Sequence, residues 1–287
     1  MSAETLIPTD LDSAIEQVVA AALAEDVGPA DRTSEAVIAE DATCAARLVV
    51  KEPGVVCGLL AAEAVFRQLD PGVRFEAVAA DGDPTGEGAT LVATVRGNAR
   101  AILTGERTAL NLVGRLSGIA TLTRSYVDAV AGTGATILDT RKTTPGMRAV
   151  EKWAVRCGGG TNHRLGLYDG ILIKDNHLAL VGSVGEATRL ALANAPAGIT
   201  VEVECESVAD VGEALAAGAT RILLDNMTPA AMAEAVALAD GRATLEASGG
   251  VTLDTVAAIA ASGVDFVSIG ALTHSARSLD VSLEVSR

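Results

Sequence analysis

The sequence predicts an α/β protein: an α+β first half, then a barrel-like parallel sheet built from βα units. Three observations carry this. Six short apolar runs, ATILD (135–139), GILIK (170–174), TVEVE (200–204), RILLD (221–225), TLEAS (244–248) and DFVSIG (265–270), are each followed by a helical stretch. The last four recur every 21 to 23 residues, counted between Glu204, Asp225, Ser248 and Gly270, which fits one βα unit. Apolar residues make up 49% of the 287-residue chain and aromatics only 2%, so the core is Ala, Val, Leu and Ile, as suits Val/Ile strands under Ala/Leu helices.

The elements follow in order. Asp10 or Asp12 can cap a first helix in which Ile15, Val18, Val19, Ala22 and Leu23 fall at helical spacing. Two β runs, Ala46–Val50 and Val55–Cys57, are joined by the turn residues Glu52-Pro53-Gly54. A helix over Leu59–Leu69 and strands near Phe75–Ala79 and Thr90–Val95 come next, the strands separated by the turn-rich DGDPTGEG. From about residue 105 the pattern changes. A long helical region runs from Gly105 towards Val130, with breaks expected near Gly114 and Gly118, and the βα units begin after it.

Composition excludes several classes. A net charge of −15 argues against nucleic acid, which needs a basic face, and against an anionic membrane surface. The N-terminal MSAETLIPTDLD has neither a basic n-region nor an apolar h-region, so no secretory signal is expected, and no apolar run approaches bilayer-spanning length. The four cysteines, Cys44, Cys57, Cys157 and Cys205, form no CxxC pair. Neither a zinc site nor a disulfide framework is indicated, and the expectation is a reduced, cytoplasmic setting with each Cys a small core hydrophobe.

Charge is unevenly placed. Asp139–His177 holds seven Lys/Arg and two of the three His against four acids, a local excess of +3 in a chain whose remainder carries −18. A solvated basic helix explains Lys152 and Arg156, but not Arg141-Lys142 and His163-Arg164, which sit at element ends beside Gly and Pro. Those pairs point to a bound anion. The strand-like runs end in Asp139, Lys174, Glu204, Asp225, Ser248 and Gly270, a ring at the carboxyl-terminal rim where α/β barrels build active sites. Glu204 and Asp225 suit Mg²⁺ held partly through water and a polyphosphate. Ser248-Gly249-Gly250 and Gly270-Ala271 let backbone N–H groups approach a phosphate. Arg141, His163, Arg164 and Lys174 suggest a second, carboxylated ligand, because guanidinium forks match carboxylates. No P-loop and no strand-borne GxGxxG is present.

These residues resemble the quinolinate phosphoribosyltransferase family through TGERTALN (104–111), DTRKTTPGMR (139–148), GGGTNHR (158–164), ILIKDNH (171–177), VEVE (201–204), LLDN (223–226), EASGG (246–250) and SIGALTHSA (268–276), essentially along the whole chain. The resemblance implies an N-terminal α/β sandwich domain (1–112) plus an open, barrel-like α/β domain (113–274), with the tail 275–287 packing back on the first. It implies that Arg107, Arg141, His163, Arg164 and Lys174 bind quinolinate. Phosphoribosyl pyrophosphate (PRPP) would be held by Lys142, Asp175, Glu204, Asp225, Ser248, Gly249, Gly250, Gly270 and His274, with Mg²⁺ on Glu204 and Asp225. Lys142, Lys174, Glu204 and Asp225 are the expected catalytic set. The expected assembly is a homodimer or larger, with Arg107 reaching the neighbouring subunit's site. Rival readings are a sister transferase acting on a monocarboxylate such as nicotinate, a molybdenum-transport-associated homologue, a Schiff-base aldolase using Lys174, and a non-enzymatic PRPP sensor.

Overall fold

The computed structural model describes residues 11–286. In chain order the elements are α1 (Leu11–Val27), α2 (Arg32–Val37), β1 (Thr43–Val50), β2 (Gly54–Val55), α3 (Leu59–Leu69), β3 (Arg74–Ala77), β4 (Pro84–Thr85), β5 (Thr90–Asn98) and α4 (Ala99–Ala129). They continue with β6 (Thr136–Leu138), α5 (Arg148–Cys157), β7 (Ile171–Ile173), α6 (Asp175–Val181), α7 (Val184–Asn194), β8 (Val201–Cys205), α8 (Val208–Ala216), β9 (Arg221–Asp225) and α9 (Pro229–Ala239). The last are β10 (Thr244–Ser248), α10 (Leu253–Ala260), β11 (Phe266–Ser268), α11 (Ala271–His274) and β12 (Val281–Ser286). The chain groups into two units. The first takes residues to Arg124, Thr143–Gly159 and those from Ala271 on; the second takes Ser125–Lys142 and Gly160–Gly270.

The first unit contains an antiparallel sheet of order β12-β1-β5-β3, with β12 paired to β1 from Ala45↔Ser286 to Val50↔Val281. Helix α3 lies on this sheet, where Phe66 stacks on Phe75 with ring centroids 6.2 Å apart. Helix α1 buries Ile15, Val19 and Leu23, spaced by four as one helical face requires. Asp12 lies inside its first turn, where a carboxylate meets the positive helix end, rather than capping it; Asp10 lies outside the described residues.

Helix α4 is one unbroken helix from Ala99, not a helix interrupted near Gly114 and Gly118. Those glycines serve packing. A Cβ at Gly114 would come within 2.9 Å of the Leu279 carbonyl oxygen, and one at Gly118 would overlap the Arg277 carbonyl. The absent side chains let the segment before β12 lie directly on the helix, and that contact outweighs the modest helix propensity of glycine.

The second unit is a six-stranded parallel sheet of order β6-β11-β10-β9-β8-β7. The sequence-adjacent β6 and β7 are its two edges, so the sheet is an open one. Register and alternation sort its side chains into two faces. One face carries Val201, Val203, Cys205, Ile222, Leu224, Leu245, Ala247 and Val267, all buried, against which the following helices pack. The other carries Glu202 and Glu204, Arg221, Leu223 and Asp225, Glu246 and Ser248, Phe266 and Ser268. A parallel sheet with one polar, charged face is prepared for a ligand rather than for a second helical layer.

Candidate active site

The ring expected from the sequence is present within the second unit, each member at or within two residues of a strand's carboxyl end. Asp139 follows β6 and is fully buried. Its Oδ1 accepts the His163 backbone N–H at 2.9 Å and its Oδ2 accepts the Asn162 side-chain amide at 2.6 Å. Thr161 pairs with Leu138, extending the edge strand by one bridge. Asp139 thus acts as the anchor that folds the NHR of GGGTNHR back onto the β6 end.

That fold brings Arg164 and Arg141 together. Arg164 donates to the Gly170 carbonyl at 2.8 Å. Burial and, next, the nearby Arg141 guanidinium hold Arg164 below the usual arginine range. Two neighbouring guanidiniums on a partly buried rim make a site of positive potential. The loop beyond is closed by Asp169, which accepts the N–H groups of Leu165 and Gly166 at 2.6 and 2.8 Å. Lys142 is exposed, its own N–H turned onto Thr140 Oγ1 at 3.0 Å.

His163 faces inward. Its Nδ1 accepts the Arg164 N–H at 2.7 Å, which leaves Nε2 to carry the proton towards Glu202 Oε2 at 3.0 Å, with Glu246 Oε1 at 3.5 Å. Both ring nitrogens are therefore engaged by protein. Arg221 completes the cluster, donating from Nε to Glu202 at 2.9 Å and from Nη2 to Glu246 at 2.7 Å, with its guanidinium 4.7 Å from the Phe266 ring centroid. Burial opposes the His163 imidazolium, but its hydrogen bond to Glu202 and the charges of Glu246 and Glu202 outweigh it and raise its pKa. Burial pushes Glu202 up, but His163 and Arg221 more than reverse this and hold its pKa low. Burial, reinforced by the Glu202 charge, pushes Glu246 up to about 7. The four residues form a buried charged layer beneath the rim. The motif reading missed Glu202, Arg221 and Glu246, although each stands two or four residues before a ring member on the same sheet face.

Lys174 follows β7 and places Nζ 2.6 Å from Glu204 Oε2. An ammonium held by a carboxylate is a poor amine nucleophile, which counts against the aldolase reading. Asp175, Leu178, Val184, Glu204, Glu206 and Asp210 line a cavity of about 290 Å³. Glu204 is level with Leu223 in the register, so Asp225 lies two positions further along the same face. Among the described residues neither Glu204 nor Asp225 belongs to a close cluster of three metal-ligating groups. This hard, open oxygen set fits a cation that keeps most of its water or shares a polyphosphate, as Mg²⁺ does, and does not fit a protein-only cage.

The late loops carry backbone constraints. Asn226 adopts φ 53° and donates its amide to Asp225 at 2.6 Å, while its N–H reaches the Ser248 carbonyl at 2.9 Å. Gly249 has φ +94°, and a Cβ there would come within 2.9 Å of the Asn226 nitrogen. Only glycine fits. Gly250 is also left-handed, at φ +59°. Ser248, Gly249, Gly250 and Gly270 thus sit on the rim with Asp225. Arg107, exposed on α4, and His274, exposed on α11 with Nδ1 2.7 Å from Ser275 Oγ, belong to the first unit. Arg156 is exposed as a basic helix residue should be, but Lys152 is fully buried, because α5 turns that side of the helix into the first unit's interior.

An open parallel α/β sheet carries paired guanidiniums, glycine-only loops and strand-end carboxylates on one rim, the chemistry that suits anionic ligands. Residues 31–117 match the family model for the quinolinate phosphoribosyl transferase N-terminal domain, and residues 119–284 match that for the C-terminal domain. The chain is 45% identical over 262 residues to a probable nicotinate-nucleotide pyrophosphorylase [carboxylating] of Bacillus subtilis, covering 91% of this chain and 90% of that one. It is 43% identical over 290 residues to the mitochondrial quinolinate phosphoribosyltransferase [decarboxylating] 2a of Nicotiana tabacum, covering 94% and 82%. The solved nicotinate-nucleotide pyrophosphorylase of Francisella tularensis superposes with a TM-score of 0.92 at 36% identity, and NadC from Streptococcus pyogenes with 0.91 at 42%, each covering 99% of both chains. The chain belongs to the quinolinate phosphoribosyltransferase family.

Proposed function

We propose that this chain transfers the phosphoribosyl group of PRPP to quinolinate and releases CO₂ and pyrophosphate, yielding nicotinate mononucleotide for NAD synthesis. The observation that carries the reading is the Arg141–Arg164 pair: two neighbouring guanidiniums on a rim, with the Arg164 backbone fixed by His163 and Asp139, suit a ligand bearing adjacent carboxylates. Quinolinate is such a ligand. His163, with both ring nitrogens engaged, would act by fixing the Arg164 backbone rather than by touching the acid. PRPP would lie along Glu204, Asp225 and the Ser248-Gly249-Gly250 turn, with Lys142 and Asp175 beside it.

The chemistry then follows from charge placement. Departure of pyrophosphate leaves cationic character at the ribose anomeric carbon, where the pyridine nitrogen attacks, so no protein nucleophile is needed. Lys142 and Lys174 would stabilise developing negative charge, and Glu204 holds the Lys174 ammonium in place. When bound, Mg²⁺ on Glu204 and Asp225 would neutralise polyphosphate charge. Quaternising the ring nitrogen makes the ring an electron sink, so the adjacent carboxylate leaves as CO₂ after ribosylation and the resulting carbanion takes a proton. We further propose a homodimer or larger assembly in which Arg107 serves the neighbouring subunit's site, and a cytoplasmic location. The test is Mg²⁺-dependent release of CO₂ and pyrophosphate from quinolinate plus PRPP. Turnover of nicotinate instead, with no CO₂ from quinolinate, would overturn the reading.

A further inference from the structure

Away from the rim, the first unit brings together two cysteines that are 100 residues apart. Cys57 precedes α3, Cys157 ends α5, and Asp81 lies in the turn between β3 and β4. One ligand atom from each, two Sγ and a carboxylate oxygen, lie within 4.8 Å of one another. We propose that Cys57, Cys157 and Asp81 form a site for a borderline-soft divalent cation of the Zn²⁺ type, with water as the fourth ligand.

The geometry is close to what such an ion needs. Tetrahedral Zn–S bonds of ~2.3 Å and Zn–O bonds of ~2.1 Å place S and O roughly 3.6 Å apart and the two sulfurs roughly 3.8 Å apart. Cys57 Sγ lies 3.9 Å from Asp81 Oδ2, a few tenths of an ångström beyond that separation, and Cys157 Sγ lies within 4.8 Å of both. The ligands are also held in place. Asp81 Oδ1 accepts the Leu59 N–H at 2.9 Å and Oδ2 accepts the Trp153 indole N–H at 3.1 Å. These are the outer hydrogen bonds that orient a metal carboxylate while leaving lone pairs for the ion. The Cys57 backbone is clamped on both sides by Ser117: its N–H donates to Oγ at 2.8 Å and its carbonyl accepts from that hydroxyl at 3.0 Å. The Asp81 turn approaches Cys157 so closely that a Cβ at Gly82 would stand 3.6 Å from the Cys157 carbonyl oxygen.

Among the described residues Asp81 forms no ion pair with Lys, Arg or His, so its charge is left for a cation. Cys57 is fully buried while Cys157 and Asp81 are partly exposed, which gives one protected ligand and an entry path. Thiolate ligands favour Zn²⁺ over Mg²⁺, so this site and the oxygen-lined rim select different metals. Binding releases the two thiol protons and ties the β3–β4 turn, the start of α3 and the end of α5 together.

The test uses the full-length protein, reduced and stripped with chelator, then titrated with Zn²⁺ against a chromophoric competitor in Mg²⁺-containing buffer. Elemental analysis after desalting should give one Zn²⁺ per chain for wild type and for the control Cys44→Ser, and none above background for Cys157→Ser or Asp81→Asn. Trp153→Phe should weaken binding by about tenfold, the scale of a lost outer hydrogen bond. Co²⁺ substitution should show thiolate-to-metal charge-transfer absorption in wild type that vanishes in Cys157→Ser. Equal Zn²⁺ uptake by wild type and Cys157→Ser, a Co²⁺ spectrum without that band, or a reduced protein that takes up no Zn²⁺ would each overturn the proposal. Transferase activity plays no part in the readout.

Discussion

Glu246 offers a quantitative test of the buried layer. Its carboxyl is fully buried, beside Glu202, and its pKa is pushed from 4.5 to about 7. A carboxyl whose folded pKa is raised binds more protons folded than unfolded between those values. Its stabilising contribution is full below the unfolded pKa and is lost as pH rises through the folded one. The shift corresponds to roughly 3 kcal/mol in all, of which about 2.5 kcal/mol falls between about pH 5 and pH 8. His163, also raised, acts in the same direction as pH rises through its folded value. Glu202, held low, loses stability only below the ordinary carboxylate range. Glu246→Gln keeps the shape and removes the titration. Urea midpoints of wild type and variant, measured at fixed protein concentration from about pH 5 to pH 8, give a difference curve. We expect it to move in the variant's favour with rising pH by about 2 kcal/mol or more. A flat difference curve would show that Glu246 does not titrate in this window.

Further outcomes follow from the rim. Arg141→Ala and Arg164→Ala each remove a charge-assisted carboxylate partner of about 1.5–3 kcal/mol, so calorimetric binding of quinolinate should weaken by roughly 10- to 100-fold while PRPP binding changes far less; equal losses for both ligands would contradict the assignment. Gly249→Ala forces a side chain into a left-handed residue against Asn226, and should raise the KM for PRPP with little change in quinolinate affinity; a rise confined to quinolinate would count against the phosphate turn. If Arg107 serves the neighbouring subunit, mixing inactive Arg107→Ala and Lys174→Ala proteins should restore partial activity once subunit exchange is verified. No recovery would place Arg107 in its own subunit's site.

The strand-end ring was legible because a βα repeat fixes where each strand stops, and Asp139, Lys174, Glu204, Asp225, Ser248 and Gly270 stand at or just past those stops. The layer beneath was not found, although the spacing of Glu202 and Glu204, Arg221 and Asp225, or Glu246 and Ser248 places each pair on one face. Its partnership depends on β8, β9 and β10 being neighbours in register, and that is a tertiary fact. The inward turn of His163 is hidden for the same reason: the two carboxylates it faces lie 39 and 83 residues away in sequence. Gly114 and Gly118 read as helix breaks because local propensity cannot reveal that the carbonyls of Arg277 and Leu279 lie against them. Lys152 followed the rule that lysines face water, and the helix it sits on is buried on that side. The Cys57–Cys157 encounter has no sequence signature at all, since no short spacing links the two.

The central claim is that the rim joins an acid bearing adjacent carboxylates to a phosphoribosyl donor and then removes one carboxylate. Quinolinate isotopically labelled in its 2-carboxylate, incubated with PRPP and Mg²⁺, tests it most directly. We predict labelled CO₂ and pyrophosphate in equal amounts, with no CO₂ when PRPP is omitted. Release of pyrophosphate from nicotinate and PRPP, with the label retained in unreacted quinolinate, would contradict the account.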